Sequence, residues 1–252
     1  MNKDPKSQHR LGIFDSGVGG FSVYRAIRSV SEANSIYYGD TARAPYGNRD
    51  EVELRRFIID DIRFLQDEDV NYFVNACNSM SVMTTDSILK ECGISSDHYT
   101  DMIRAFRNHA TFEASDLVLV FATLATIRSG VYQEVIVNKG ARVLEYIFRD
   151  LAGAIEANAK EDELLLIIED GMVFAKNVGA THIVHGCTHY SLISNLFTSM
   201  QQKVGWNGKF IDPAVYVAQE VALWKLTGTR EFTPYSSKDT PAFIKYVAQL
   251  LN

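Results

Sequence analysis

Two cysteines, Cys77 and Cys187, each end an apolar, strand-like segment and are followed at once by small polar residues. A thiol at the end of a buried strand is held rigidly and can still face a cleft. Two such thiols, one from each half of the chain, could reach one substrate carbon from opposite sides. One thiolate would remove a proton while the opposite thiol returns one, which inverts the configuration at that carbon. The pair therefore predicts the proton-transfer chemistry of a racemase.

The residues beside these thiols favour ionisation. A free thiol has a pKa near ~8.5, which a nearby cation or a helix start lowers. Both cysteines stand where a strand gives way to a helix, so backbone amides could stabilise a thiolate. His189 is close enough to Cys187 in sequence to assist its proton transfer. The third cysteine, Cys92, is predicted to be packing material. An odd number of cysteines argues against a disulfide scaffold and favours the reducing cytoplasm.

A metal site is the competing interpretation of the second cysteine segment. His185, Cys187 and His189 alternate, so in an extended strand they could share one face, with His182 nearby. Zinc would need a fourth ligand and would take the cysteine as thiolate. The glycine and threonine between them indicate instead that the strand ends there. A pyridoxal enzyme would need a lysine, and no lysine follows these strands. We therefore expect neither metal nor cofactor.

The elements that position these residues alternate along the chain, a pattern typical of an α/β protein with mostly parallel sheets. Strands are predicted at residues 11–14, 35–38, 70–76, 117–122, 141–147, 182–185 and 209–211. Helices are predicted at residues 21–30, 50–67, 79–92, 130–139, 162–178, 190–203, 213–227 and 241–251. The pattern blurs over residues 93–116, where we place the crossing between two domains.

Polar or small residues follow the strands at five places, namely Asp15-Ser16-Gly17, Gly39-Asp40-Thr41, Cys77-Asn78-Ser79, Thr123 and Cys187-Thr188-His189. In open parallel sheets, ligands bind beyond the carboxyl ends of the strands. This convergence predicts an active cleft and hence an enzyme. The glycine-rich turn after the first strand lacks the dinucleotide and nucleotide P-loop patterns. A plain helix cap there, and an ordinary connection at residues 39–47, remain open alternatives.

The length and composition of the chain limit its number of domains and the kinds of partner that it can have. The 252 residues suffice for one large or two modest domains, and 46% hydrophobic with 22% charged residues is ordinary for a globular protein. A net charge of −6 argues against a general nucleic-acid surface. No apolar run reaches transmembrane length, so no membrane partner is expected. The first ten residues lack a hydrophobic signal core and predict a mobile lead-in.

Four stretches together resemble the glutamate racemase family of the cofactor-independent aspartate/glutamate racemase superfamily. They lie at residues 12–20, 38–47, 76–79 and 186–190, with a weaker fifth at 122–126 and 129–133. They occur in the expected order and extend to about residue 200. The histidine and tyrosine after Cys187 resemble the glutamate branch, because aspartate racemases usually carry an acidic residue at the histidine's place. The family has a threonine where this chain has Ser79, and its pattern differs over residues 94–116.

The resemblance implies two facing α/β domains with the active site in the cleft between them. The first domain would comprise residues 1–95 plus about 212–252, and the second about 96–211. Cys77 would deprotonate the D-enantiomer with support from Asp15. Cys187 would deprotonate the L-enantiomer with support from His189 and a carboxylate about thirty residues earlier. That spacing nominates Glu156, with Glu169 as the alternative. Implied substrate contacts are Ser16, Pro45, Tyr46, Gly47, Asn78, Ser79, Thr126 and Thr188, with Asp40 near the amino group.

The function implied is conversion of L-glutamate to D-glutamate for peptidoglycan synthesis in the cytoplasm, without a cofactor. Two alternatives remain open. One is racemisation of aspartate or another acidic amino acid. The other is a homologue that has lost catalysis and acts by binding an acidic ligand or a partner protein. The sequence does not give the oligomeric state; a homodimer is one option, because dimers are the commonest soluble assembly.

Overall fold

A computed structural model describes residues 9–251, in which nine strands alternate with thirteen α-helices. The first part of the chain runs through β1 (Arg10–Asp15), α1 (Phe21–Arg28), β2 (Asn34–Gly39), α2 (Glu51–Asp67), β3 (Tyr72–Asn75), α3 (Asn78–Ser81), α4 (Asp86–Glu91), β4 (Tyr99–Asp101) and α5 (Met102–His109). The middle part runs through β5 (Leu117–Ala122), α6 (Leu124–Arg128), α7 (Val131–Asn138), β6 (Arg142–Ile147), α8 (Leu151–Glu156), α9 (Glu161–Asn177), β7 (His182–Gly186), α10 (Thr188–Leu192), α11 (Ser194–Val204) and β8 (Lys209–Ile211). The last part runs through α12 (Pro213–Leu223), β9 (Phe232–Ser236) and α13 (Pro241–Leu251).

The strands form two separate sheets in which every neighbouring pair is parallel. The first sheet has five strands in the order β4-β3-β1-β2-β9, and the second has four in the order β6-β5-β7-β8. Central strands carry near-continuous apolar runs because helices cover both faces of a parallel sheet. β1 illustrates this, since all of its residues from Leu11 to Asp15 are buried. The predicted α/β class with parallel sheets is confirmed.

Local sequence fixes several element boundaries near the sheets. Asp50 accepts a hydrogen bond from the Glu53 amide, and Glu53 in turn accepts from the Asp50 amide, so a capping box starts α2. Asp212 caps α12, with Pro213 in the first turn, where a missing N–H costs nothing. Among the described residues, no helix is long and apolar enough to span a membrane.

Two strands of the first sheet were not predicted. β4 lies within the blurred segment and pairs with β3, so the first sheet continues to Asp101, beyond the boundary expected at residue 95. Only three residues long, β4 is too short to show a period in sequence. β9 pairs with β2 at the other edge of the first sheet, so the C-terminal part of the chain returns to that sheet. Pro234 within β9 obscured it, because proline is confined to sheet edges.

Predicted helices differ from the observed ones mainly where they break. The helix expected over residues 79–92 divides into α3 and α4, separated by consecutive threonines, which disfavour helix by branching at Cβ. The helix expected over residues 190–203 divides into α10 and α11 at Ile193. The helix expected to reach residue 227 ends at Leu223, shortly before Lys225 adopts a positive φ of 52°. Residues 1–8 of the expected lead-in lie outside the described residues.

Candidate active site

The carboxyl ends of strands from both sheets meet at one small cavity, called here the cleft cavity. It holds about 20 Å³, which is room for about one water molecule. Both Cys77 and Cys187 face it, one from each sheet. An amino acid needs more space than this. The lining residues are Ser16, Ala44, Pro45, Tyr46, Gly47, Cys77, Asn78, Ser79, Thr123, Ala152, Glu156, Cys187, Thr188 and His189.

Cys77 lies directly after β3 in a buried, weakly polar environment. Its side chain is 5% exposed, and its Sγ lies 3.7 Å from the Ser16 hydroxyl. Burial raises the pKa of the Cys77 thiol well above its usual range, and the nearby charge of Asp15 adds to the increase. Cys77 is therefore a protonated thiol, the form that can give a proton to a carbanion.

Asp15, at the end of β1, links the two sides of the cavity. Its Oδ1 accepts from the Gly17 amide at 2.8 Å, and its Oδ2 accepts from the Thr188 hydroxyl at 3.2 Å. Burial raises the pKa of Asp15, although the charge of His189 opposes that shift. Asp15 makes no described hydrogen bond to Cys77, so it acts on that thiol through its charge.

On the opposite side, Cys187, His189 and Glu156 form a connected row. Cys187 Sγ lies 3.7 Å from His189 Nδ1, and His189 Nε2 lies 2.6 Å from Glu156 Oε1. Burial acts to lower the pKa of His189, but hydrogen bonds to Cys187 and Glu156 outweigh burial and raise it well above its usual value. A protonated His189 can donate to both neighbours at once.

Glu156 also reaches across to the first sheet's side of the cavity. The Val18 amide donates to its Oε1 at 2.7 Å. A Cβ atom placed on Gly17 would overlap Glu156 Oε1, so this contact requires glycine there. The alternative carboxylate, Glu169, instead pairs with Lys203 at 2.8 Å on the surface of α9 and is not among the lining residues.

The loop after β2 contributes Pro45, Tyr46 and Gly47 to the lining. Asp40, expected near the substrate amino group, does not line the cavity and stands behind Tyr46. Its Oδ2 accepts from the Tyr46 hydroxyl and from Arg43. Arg43 also binds Asp60 and the fully buried Asp61, each at 2.9 Å. The loop is thus held from behind by an arginine surrounded by three carboxylates.

A row of hydroxyl groups joins the two sheets on another wall. Ser79 Oγ lies 3.1 Å from Thr123 Oγ1, which lies 3.2 Å from Thr126 Oγ1. Ser79 and Thr123 line the cavity, whereas Thr126 stands behind Thr123 and is not a lining residue. Asn78 lines the cavity and accepts a 2.6 Å hydrogen bond from Tyr132 through its Oδ1. Its Nδ2 is buried without a protein partner.

Several of these residues were missed in the sequence. Thr123 was already among the residues expected at the strand ends, whereas Arg43 was given no role although it lies in a recognised motif. Asp61 carried a signal, because it lies on the apolar face of α2, four residues after Phe57 and four before Leu65. A charge at such a position calls for a buried partner. Tyr132 and Val18 also lie in resembling stretches, but nothing in the sequence indicated their contacts, because their partners lie 54 and 138 residues away along the chain.

The metal alternative does not fit the described part of the chain. His185 is 2% exposed and packs between Phe197 and Phe210, with ring centroids 4.8 and 5.2 Å away. Burial lowers the pKa of His185 to about 4, so it is a neutral core residue. Across residues 9–251, no group of three or more histidine, cysteine or carboxylate side chains could hold a metal ion.

Comparison with known proteins agrees with this arrangement. No family model matches the chain. The glutamate racemase of Picosynechococcus sp. is 32% identical over 232 residues, which cover 87% of this chain and 80% of that protein. The glutamate racemase structure of Aquifex pyrophilus aligns with a TM-score of 0.78 at 26% identity, covering 96% of this chain and 94% of the other. The glutamate racemase structure of Francisella tularensis in complex with D-glutamate aligns with a TM-score of 0.81 at 23% identity, covering 97% of this chain and 94% of the other.

The two parallel sheets and the cleft between them define a protein of the aspartate/glutamate racemase superfamily. Within that superfamily, the chain belongs to the glutamate racemase family.

Proposed function

We propose that this chain interconverts L- and D-glutamate by proton transfer between two cysteines, without metal or cofactor. One observation carries the proposal: Cys77 and Cys187 line the same buried cavity and come from the two different sheets. A substrate held between them presents its α-carbon to both sulfurs. Membership of the glutamate racemase family supports glutamate as the substrate.

The two thiols stand in different electrostatic surroundings. Cys77 keeps its proton because it is buried beside Asp15. Cys187 stands beside His189, whose raised pKa makes it a cation at neutral pH. In the direction from L-glutamate, Cys187 removes the α-proton, and Cys77 delivers its own proton to the opposite face. After D-glutamate leaves, the protonation states are reversed, and the enzyme suits the D-enantiomer.

The walls of the cavity supply the help that a weakly acidic α-proton needs. Buried hydroxyl and amide groups line the cavity and can donate to the substrate carboxylates, among them Ser16, Asn78 and Ser79. Because the closed cavity holds about 20 Å³, closure around the substrate excludes bulk water. Fixed donors in a dry site stabilise developing charge better than water does. Peptidoglycan synthesis in the cytoplasm is the proposed destination of the D-glutamate.

The test replaces each thiol separately. Cys77→Ala and Cys187→Ala should each reduce glutamate racemisation by at least about a hundredfold, because general acid–base groups contribute this much or more. Cys92→Ala is the matched control, since Cys92 is buried at the end of α4 and does not line the cavity. Urea unfolding checks that every variant folds. Near-normal turnover by either site variant would overturn the two-thiol mechanism.

Aspartate should be assayed in parallel with glutamate. Comparable turnover of aspartate by the wild-type protein would move the function to a racemase of acidic amino acids in general. No turnover of either substrate by the folded, reduced protein would favour the binding-protein alternative.

A further inference from the structure

Asn78 presents a buried amide to the cleft cavity with one end unused. The side chain is 2% exposed, its Oδ1 accepts from Tyr132, and its Nδ2 has no protein partner. A buried N–H without a partner is destabilising because it has lost its water and gained nothing. Since Asn78 lines the cavity, a ligand atom there is the partner that would satisfy it.

The two ends of the amide have opposite preferences for an acidic substrate. An N–H facing the cavity can donate to a carboxylate, whereas a carbonyl oxygen facing it would repel one. A primary amide can rotate by half a turn within nearly the same volume, so Asn78 alone does not fix which end is presented. The Tyr132 hydroxyl, 2.6 Å from Oδ1, favours the orientation in which Nδ2 remains free for the substrate.

Tyr132 is itself held firmly. It is 1% exposed on α7, and its ring packs edge-on against Phe106 with a centroid distance of 4.8 Å. Burial, with the charge of Asp212 next, keeps the pKa of Tyr132 well above its usual value. The hydroxyl therefore retains the proton that it donates throughout the working pH range.

The hydrogen bond also crosses the cleft. Asn78 begins α3 after a strand of the first sheet, whereas Tyr132 lies on α7 between two strands of the second sheet. The orientation of the amide thus depends on both sides of the cavity being together. Tyr132, on the side of the second sheet, thus determines which atom of Asn78 faces the substrate.

We propose that Tyr132 is a positioning residue that aims Asn78 Nδ2 at a carboxylate oxygen of the amino-acid substrate. This inference rests on the proposed function. It places Tyr132 in substrate recognition, although the tyrosine does not line the cavity.

The test is Tyr132→Phe, which keeps the ring and removes only the donor. The KM for both glutamate enantiomers should rise about tenfold, the equivalent of about 1.4 kcal/mol. The kcat should change by less than about twofold, because the substrate carboxylate is bound equally tightly in the ground state and in the transition state. Tyr24→Phe is the matched control: Tyr24 is 3% exposed on α1 and does not line the cavity. It should leave both constants unchanged.

A double-mutant cycle separates positioning from a general structural effect. In an Asn78→Ala background, Tyr132→Phe should add almost nothing to the loss, because the amide that it aims is absent. An unchanged KM in the single variant, or the same tenfold increase in the Asn78→Ala background, would overturn the inference. Absence of glutamate turnover in the wild-type protein would instead defeat the proposed function, so the two failures are distinguishable.

Discussion

Replacing Glu156 by glutamine tests the row that joins it to His189 and Cys187. The substitution keeps the shape of the side chain and removes its charge. Glu156 Oε1 lies 2.6 Å from His189 Nε2 and accepts from the Val18 amide at 2.7 Å. Glutamine can still accept those bonds through its oxygen, so the fold should survive. The cation on His189 would lose the negative charge that stabilises it.

The magnitude follows from the loss of a charged hydrogen bond. Such a bond contributes about 1.5–3 kcal/mol, and one pKa unit corresponds to about 1.36 kcal/mol. The pKa of His189 should therefore fall by about one to two units. If the cation stabilises the Cys187 thiolate by this amount, kcat/KM falls about 10- to 100-fold near neutral pH.

The pH dependence gives the direction of the effect. In the wild type, the raised pKa keeps His189 protonated well above pH 6.5. Activity that needs the cation is present below the folded-state pKa and is lost as the pH rises through it. In Glu156→Gln, the alkaline limb of the kcat/KM profile should move to lower pH by the same one to two units. Part of the lost activity should return as the pH is lowered.

Isotope effects assign the defect to one thiol. The free energies of the enantiomers are equal, so kcat/KM must stay equal in both directions for any variant and cannot identify the impaired cysteine. Glutamate deuterated at the α-carbon can identify the impaired cysteine. In Glu156→Gln, the primary isotope effect on kcat should increase for the L-enantiomer, whose proton Cys187 removes. Glu169→Gln is the control, because Glu169 pairs with Lys203 away from the cavity. An unshifted profile for Glu156→Gln, or an equal shift for the control, would refute this reasoning.

Three further substitutions have defined outcomes. Gly17→Ala should lower kcat/KM by about 10- to 100-fold, because its Cβ displaces Glu156; steady-state kinetics measures this, and wild-type rates would contradict it. His185→Leu should flatten the pH dependence of the free energy of unfolding. The folded-state pKa of His185, about 4, lies below its unfolded value of about 6.5. In the wild type this histidine therefore lowers the free energy of unfolding by about 2 kcal/mol as the pH falls from 7 to 5. Urea unfolding at both pH values measures this, and an unchanged slope would contradict it. Arg43→Lys should lower the free energy of unfolding by about 2 kcal/mol, because lysine lacks the guanidinium group that reaches three carboxylates. Urea unfolding measures this change. Wild-type stability of the variant would contradict the prediction.

The sequence predicted most of the sheet architecture because long apolar strands alternate with amphipathic helices. It failed at the sheet edges. β4 has three residues and β9 contains Pro234, so neither shows the apolar run of a central parallel strand. Pairing at an edge depends on which surface the rest of the fold leaves open, and local pattern does not encode that.

The candidate site was predictable where residues follow strands, because the fold itself brings those ends together. The groups that stand behind these strand-end residues could not be predicted in the same way. Asp40 was expected at the substrate and instead holds the Tyr46 loop with Arg43. The bonds from Tyr132 to Asn78 and from Val18 to Glu156 cross the cleft. Such contacts depend on how the two sheets face one another, which no local motif specifies.

The most direct test of the two-thiol mechanism is racemisation of L-glutamate in D₂O, with chiral separation and mass analysis at early times. Cysteine protons exchange with solvent, and the opposite thiol delivers the new proton. D-glutamate should therefore carry one solvent deuterium at the α-carbon, while the remaining L-glutamate carries almost none. D-glutamate that retains its original α-proton, together with deuterium in the recovered L-glutamate, would indicate a single base and contradict the assignment of Cys77 and Cys187 to opposite faces.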